Sequence, residues 1–205
     1  MNKIVFASTN YNKYKEFSRI IKLKNTEIIF SDNKFEAPEE NGTTFFENAL
    51  IKAKYYSKKF LFPVISEDSG LCVKALDYKP GIFSSTYSGV NNALENNKKL
   101  LNDLDAVKDR SCFYFCTHVF LRRFDDAFPV FTSSKWHGYI AKKLAGKNGF
   151  GYDPIFIDLK SGLSAAEISL ERKNTISHRY KSLKKLEKKI NELNFNEWTV
   201  ISVQI

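Results

Sequence analysis

The chain has 205 residues, 43% hydrophobic and 15% aromatic, which is enough to bury a sizeable core and excludes wholesale disorder. Its formal charge of +9 points to a polyanionic partner, whether nucleic acid, an acidic membrane or a phosphorylated small molecule. Three cysteines without zinc-knuckle spacing read as buried thiols of a reducing compartment. No stretch reaches the ~20 apolar residues of a membrane span, and the patch Ile4 to Ala7 is too brief for a signal sequence, so a soluble cytoplasmic protein is expected.

In chain order, Ile4 to Ala7 predicts a short buried strand, followed by a helix opening near Asn12 with Phe17, Ile20, Ile21 and Leu23 inward. Glu27 to Phe30 predicts a second strand, and Asp32 to Gly42, with Pro38, a loop. Thr43 is placed to cap a helix whose Phe46, Ala49, Leu50, Ala53 and Tyr56 recur at helical spacing. Phe62 to Ser66 predicts a strand that stops at a Ser-Gly turn, and Leu71 to Leu76 an extended segment. The turn-rich run Asp77 to Gly89 follows, then a helix from Asn91 to Leu104. Ser111 to Arg123 and Ala127 to Lys142 are aromatic and β-branched and read as an antiparallel pair. Gly146 to Tyr152 is a glycine-rich loop and Ile155 to Ile157 a short strand. Ser177 to Asn191 predicts an amphipathic helix, and Trp198 to Ile205 a closing strand. The mixture predicts an α/β protein with a mixed, partly antiparallel sheet and flanking helices.

Four stretches can carry chemistry. "STNYNK", Ser8 to Lys13, joins a strand to a helix, where free amides and a lysine suit a phosphate; it is not a Walker loop, and a polar-capped turn explains it equally. "PEENG" and "ISEDSG" supply Glu39, Glu40, Glu67 and Asp68. These oxygens could hold magnesium and position a water, or merely solvate two turns. "GKNGFGYDP", Gly146 to Pro154, offers Phe150 to a planar base or to the core of a tight hairpin. "RKNTISHR" brings Lys173, His178 and Arg179 to a helix start capped by Ser177. His118 and His137 read as packing residues, as do Trp136 and Trp198.

The order of these pieces carries more than any one of them. The "TN…K" turn, the acidic loop, "TFFENALIKA", "EDSG", "KPGIFSSTYSG", "GFGYDP" and "KNTISHR" follow one another over about Ile4 to Leu186. The arrangement resembles the inosine triphosphate pyrophosphatase family, the house-cleaning nucleoside triphosphate pyrophosphatases. That resemblance implies one domain of two α/β lobes around a deep central cleft, a homodimer, and magnesium-dependent hydrolysis of ITP, dITP and XTP to monophosphate and pyrophosphate. It implies no stable nucleic-acid partner and no membrane. By position, Ser8, Thr9, Asn10, Lys13 and Lys52 fall to the phosphates. Glu39 or Glu40 would hold magnesium with Glu67 and Asp68, and Asp68, assisted by Lys13 and Glu67, is the proton acceptor. Ser69 touches substrate, Phe150 stacks on the base, and Gly151, Tyr152, Asp153, Lys173, His178 and Arg179 complete the nucleoside pocket.

Three positions depart from the family pattern. Thr9 replaces a glycine, which predicts a tighter or shifted phosphate turn; Glu67 replaces the commoner aspartate; Thr86 stands where "SARY"-type sequences carry arginine. A Maf-type pyrophosphatase acting on other modified nucleotides is the near alternative, opposed by "GFGYDP" with "SHR". A non-catalytic basic nucleic-acid-binding protein is the distant one, opposed by four acids that would repel a phosphate backbone unless a metal intervened.

Overall fold

The computed structural model describes residues 2–32 and 35–193; the expected closing strand, 198–205, lies outside them. The buried run Ile4 to Ala7 forms the centre of β1 (Asn2–Ala7), flanked in parallel by β2 (Thr26–Phe30) and β3 (Val64–Val73). β4 (Ser111–Leu121) and β5 (Val130–Ile140) form the expected antiparallel ladder, and β6 (Phe156–Asp158) completes the order β2-β1-β3-β4-β5-β6. The sheet is therefore mixed, as expected.

Three apolar clusters surround it. On one face α1 (Tyr11–Ile20) and α5 (His178–Glu192) bury Phe17, Ile20, Leu183, Leu186 and Ile190 against Phe6 and Ile65. On the other, α2 (Phe45–Phe60) buries Ala49, Ala53 and Tyr56 against Val64 and Val119. The third joins Leu71, Tyr114, Trp136 and Phe156 to Leu100 of α3 (Ala93–Asp103). The long strands β3 to β5 run through both halves, so the clusters make two lobes with a cleft between them.

Helix starts follow capping chemistry. Asn10 caps α1 by accepting the N–H groups of Asn12 and Lys13. The cap of α2 is Thr44, one residue beyond the expected Thr43. Glu47 then occupies the third helical position, from which it accepts the Thr44 N–H while the Thr44 hydroxyl accepts the N–H of Glu47. A seven-residue helix, α4 (Leu170–Ile176), precedes α5 and was not anticipated. Ser177 alone separates them, with extended backbone: its N–H donates to Lys173 O at 3.0 Å, and its hydroxyl accepts from the Tyr180 N–H at 3.2 Å.

The largest correction concerns β3. It does not stop at Ser66 but runs on to Val73, ten residues in all, pairing Glu67 with His118, Asp68 with Thr117 and Gly70 with Phe115. Pairing with β1 ends at Ser66, so the acids follow the point where that side of the strand opens. Gly70 is required by close approach: a Cβ there would lie 2.3 Å from Gly81 O in the turn Gly81–Phe83. Among the described residues no helix is long and apolar enough to cross a membrane.

Candidate active site

The cleft encloses about 750 Å³, and all the residues singled out from sequence line it except Glu39. Glu39 is exposed and does not line the cleft, whereas Glu40 does, which separates two neighbours that spacing alone left equivalent. Thr9 does not adopt the left-handed backbone, so the turn before α1 accepts a side chain in place of glycine.

Alternation along β3 sends the two central acids to opposite faces. Glu67, on the α1 and α5 side, has no exposed side-chain surface and accepts from Arg179 Nε at 2.7 Å and Nη2 at 3.0 Å. Lys13 Nζ lies 3.2 Å and His118 Nε2 3.3 Å from its oxygens. Burial would raise its pKa, but the Arg179 and Lys13 cations prevail and hold it well below the usual carboxylate range. Asp68, on the α2 side, meets Lys52 Nζ at 3.5 Å and the Asn48 amide at 3.4 Å. Here burial outweighs the opposing pull of Lys52 and Lys13, and the carboxyl is raised. Adjacent carboxyls pushed in opposite directions are suited to different tasks.

Behind Glu67 lies a chain of alternating charge. Arg179 also bonds Glu16, Glu16 meets Lys173 at 3.1 Å, and Lys173 meets Asp153 at 2.5 Å. Asp153 then anchors the glycine loop, accepting the Phe150 N–H at 2.8 Å and the Tyr114 hydroxyl at 3.2 Å. Gly149 has φ +76°, and a Cβ there would lie 2.0 Å from Asp153 Oδ2, so glycine is needed both for conformation and for approach. Tyr152 donates to Ser84 O at 2.9 Å, and Gly151 O accepts from Asn97 at 2.8 Å, fixing the loop to the α3 lobe. Phe150 is left half-buried with Lys173 5.0 Å and Arg179 5.6 Å from its ring centre. His178 stacks on Tyr114 at 4.7 Å and is 4% exposed, and its Nδ1 has no partner among the described residues. Burial, reinforced by the Arg179 and Lys173 cations, keeps its imidazole neutral.

Sequence reasoning missed Glu16, His118 and Asn48. Glu16 carried a faint signal, an acid on the inward stripe of α1 one position before Phe17, and it is 3% exposed. His118 carried none, because its partner Glu67 is set by strand register.

Donor chemistry decides where a cation could sit. Glu40 and Asp68 both contact the Lys52 ammonium, so two carboxylates already converge on one positive group with oxygen donors of the kind a hard divalent ion takes. Glu67, Cys116 and His118 also bring ligand atoms within 4.8 Å of one another, among the described residues. That trio is fully buried, and Glu67 is already shared by Arg179 and Lys13, so it fits a hydrogen-bonded core cluster better than an ion.

Comparison with known proteins agrees with this geometry. The Ham1 family model matches residues 4–189. A Nitrosomonas europaea protein named dITP/XTP pyrophosphatase is 41% identical over 194 residues, 94% of this chain and 96% of its own. The Escherichia coli K12 protein of that name is 39% identical over 190 residues, 91% and 96% of the two. The solved structure of a HAM1 protein from Coxiella burnetii has a TM-score of 0.86 at 38% identity, covering 94% of this chain and 100% of that one. The Staphylococcus aureus Ham1 protein gives 0.82 at 36%, covering 92% and 98%. With more than nine-tenths of each length matched in sequence and in fold, this chain belongs to the Ham1 family.

Proposed function

We propose that the protein is a nucleoside triphosphate pyrophosphatase that hydrolyses deaminated purine nucleotides, dITP, ITP and XTP, to the monophosphate and pyrophosphate. The observation that carries this reading is the opposed pair Glu67 and Asp68, placed between two lysines and a base-sized slot at Phe150 and His178. Relatives named dITP/XTP pyrophosphatase support the substrate class.

In this mechanism Asp68 accepts a proton from the water that attacks the α-phosphorus. The new P–O bond forms as the bond to the bridging oxygen breaks, and pyrophosphate departs. Lys13, Lys52 and the N-terminus of α1 offset the charge that builds on the phosphate oxygens. Ser8, whose Oγ accepts the Asn10 N–H, keeps its own proton for a phosphate oxygen. Glu67 stays ionised and holds Arg179 and Lys13 in place. Magnesium, when held by Glu40 and Asp68, supplies further charge neutralisation to the phosphates.

At the other end Phe150 stacks on the base. His178, neutral and lining the cleft, donates a ring N–H to the 6-oxygen of hypoxanthine or xanthine; adenine would set an amino donor against it. Arg179 is committed to Glu67, Glu16 and Ser69, so the discrimination between a 6-oxygen and a 6-amino group falls on His178. Phe150→Ala should raise KM for dITP by roughly 5- to 150-fold, the equivalent of ~1–3 kcal/mol of stacking. An unchanged KM and kcat would remove stacking from the mechanism.

The three free, buried thiols Cys72, Cys112 and Cys116 support a cytoplasmic enzyme. A homodimer is supported by an apolar pocket of about 560 Å³, adjoining the cleft at Ile82 and Phe83 and lined by Phe45, Phe46, Tyr78, Phe115 and Phe131. The deciding experiment measures pyrophosphate release from dITP, ITP, XTP, GTP and ATP with magnesium and with a chelator, alongside sedimentation velocity. Release confined to the deaminated purines, lost on chelation, from a particle of twice the chain mass is expected. Equal turnover of all five nucleotides would refute the specificity, and a species of single chain mass the dimer.

A further inference from the structure

Two residues of α2, one helical turn apart, face the acidic centre in the same way. Lys52 contacts Asp68 Oδ1 and, through Glu40, the loop before the helix. Asn48 contacts Asp68 Oδ2 through its Nδ2 donor at 3.4 Å, and its Oδ1 accepts the Gly42 N–H of the same loop at 2.8 Å. Asn48 is 3% exposed, and both ends of its amide are therefore in use inside the protein. Gly42 is fitted to this contact. A Cβ on it would lie 2.7 Å from Asn48 Oδ1 and 2.6 Å from Glu47 Cβ, so the loop comes this close only without a side chain. The loop is also pinned by Glu47, which accepts from the N–H groups of Thr43 and Thr44 at 2.7 and 3.0 Å.

We infer that Asn48 is a positioning residue: its amide oxygen holds the Pro38–Gly42 loop, its amide nitrogen holds one oxygen of Asp68, and the spacing of Glu40 from Asp68 is thereby fixed. The inference rests on the reading of Asp68 as proton acceptor and of Glu40 as its partner carboxylate. It assigns Asn48 no contact with substrate. The function of the bridge is geometric. An asparagine can donate from one end and accept at the other, whereas an aspartate can only accept and an alanine does neither. A rigid side chain on a helix also orients a catalytic carboxylate more closely than a loop could.

That difference supplies the test. Asn48→Ala, Asn48→Asp and Asp68→Asn are compared by steady-state kinetics on dITP and by amide hydrogen exchange of the peptide spanning 38–43, without nucleotide or metal. Asn48→Ala is expected to lose exchange protection in that peptide and to lower kcat about 10- to 100-fold with KM held within about threefold, as when a supporting partner of a reacting group is removed. Asn48→Asp keeps an acceptor for Gly42, so it should retain the protection yet lose kcat to a similar extent. If Asn48→Ala keeps kcat within about twofold of wild type while Asp68→Asn is inactive, the inference fails and the reading of Asp68 stands. Loss of protection in Asn48→Asp equal to that in Asn48→Ala would overturn the acceptor half. Full activity of Asp68→Asn would overturn both readings together.

Discussion

Asp68→Asn lowers kcat for dITP by about 10²- to 10⁴-fold, the range that a positioned general base contributes, and leaves KM within a few-fold. The amide has nearly the shape of the carboxylate, and its one oxygen can keep either the Asn48 or the Lys52 contact while the proton acceptor is lost. Stability separates this outcome from simple damage. Burial raises the Asp68 pKa in the fold, which means that folding disfavours its charged form. A neutral isostere therefore should not unfold the protein, and Tm is expected to be equal to wild type or higher. Retained turnover would move the base elsewhere in the cleft; a large fall in Tm would mean that Asp68 is primarily a structural partner of Lys52.

Arg179→Ala acts in the opposite manner, through the fold first. Arg179 is 2% exposed and faces both Glu67 and Glu16, so its removal takes the shared guanidinium from two buried carboxylates and leaves Lys13 alone as the cation at Glu67 and Lys173 at Glu16 among the described residues. Breaking a buried ion cluster at one member costs about 3–5 kcal/mol, which for a chain of this size is roughly 6–20 °C in Tm. The pH dependence has a definite sign. Glu67 is held below its ordinary value in the wild type, so its stabilising contribution is complete above about 4.5 and is lost as pH falls through the lower folded value. Without the guanidinium, Glu67 takes up a proton more readily, so the gap in Tm between variant and wild type should narrow from pH 7 to pH 4. Thermal unfolding at the two pH values reads this directly. A constant gap, or none, would show that the cluster is not what Arg179 stabilises. Arg179→Lys should recover only part of the loss, since an ammonium lacks the planar fork that serves both acids.

What could be read in the sequence and what could not divide along a physical line. The β4–β5 ladder and the helices around Phe46 and Leu183 were legible because periodicity is local. The motifs in order were legible too, and each of them contributes residues to the cleft. The course of β3 was not, since "EDSG" has turn composition; the strand continues because cations from α1, α2 and α5 neutralise its acids. Glu16 was invisible for a related reason: its partner Arg179 lies 163 residues away, and nothing in a helical stripe announces a charge met from across the fold. Glu39 and Glu40 could not be separated until the loop had a direction.

The single extended residue between α4 and α5 has a consequence for how the site is assembled. Lys173 and Arg179 are six positions apart, and on an unbroken helix they would project about 120° from each other. No one carboxylate could then receive both. Because Ser177 interrupts the winding, the two cations converge on Glu16, and His178 and Arg179 become the opening residues of a new helix aimed into the cleft. Ser177 thus works as a phase-setting joint, and a change that fused the two helices into one rod would pull apart the base end of the cleft while leaving every contacting side chain in the sequence.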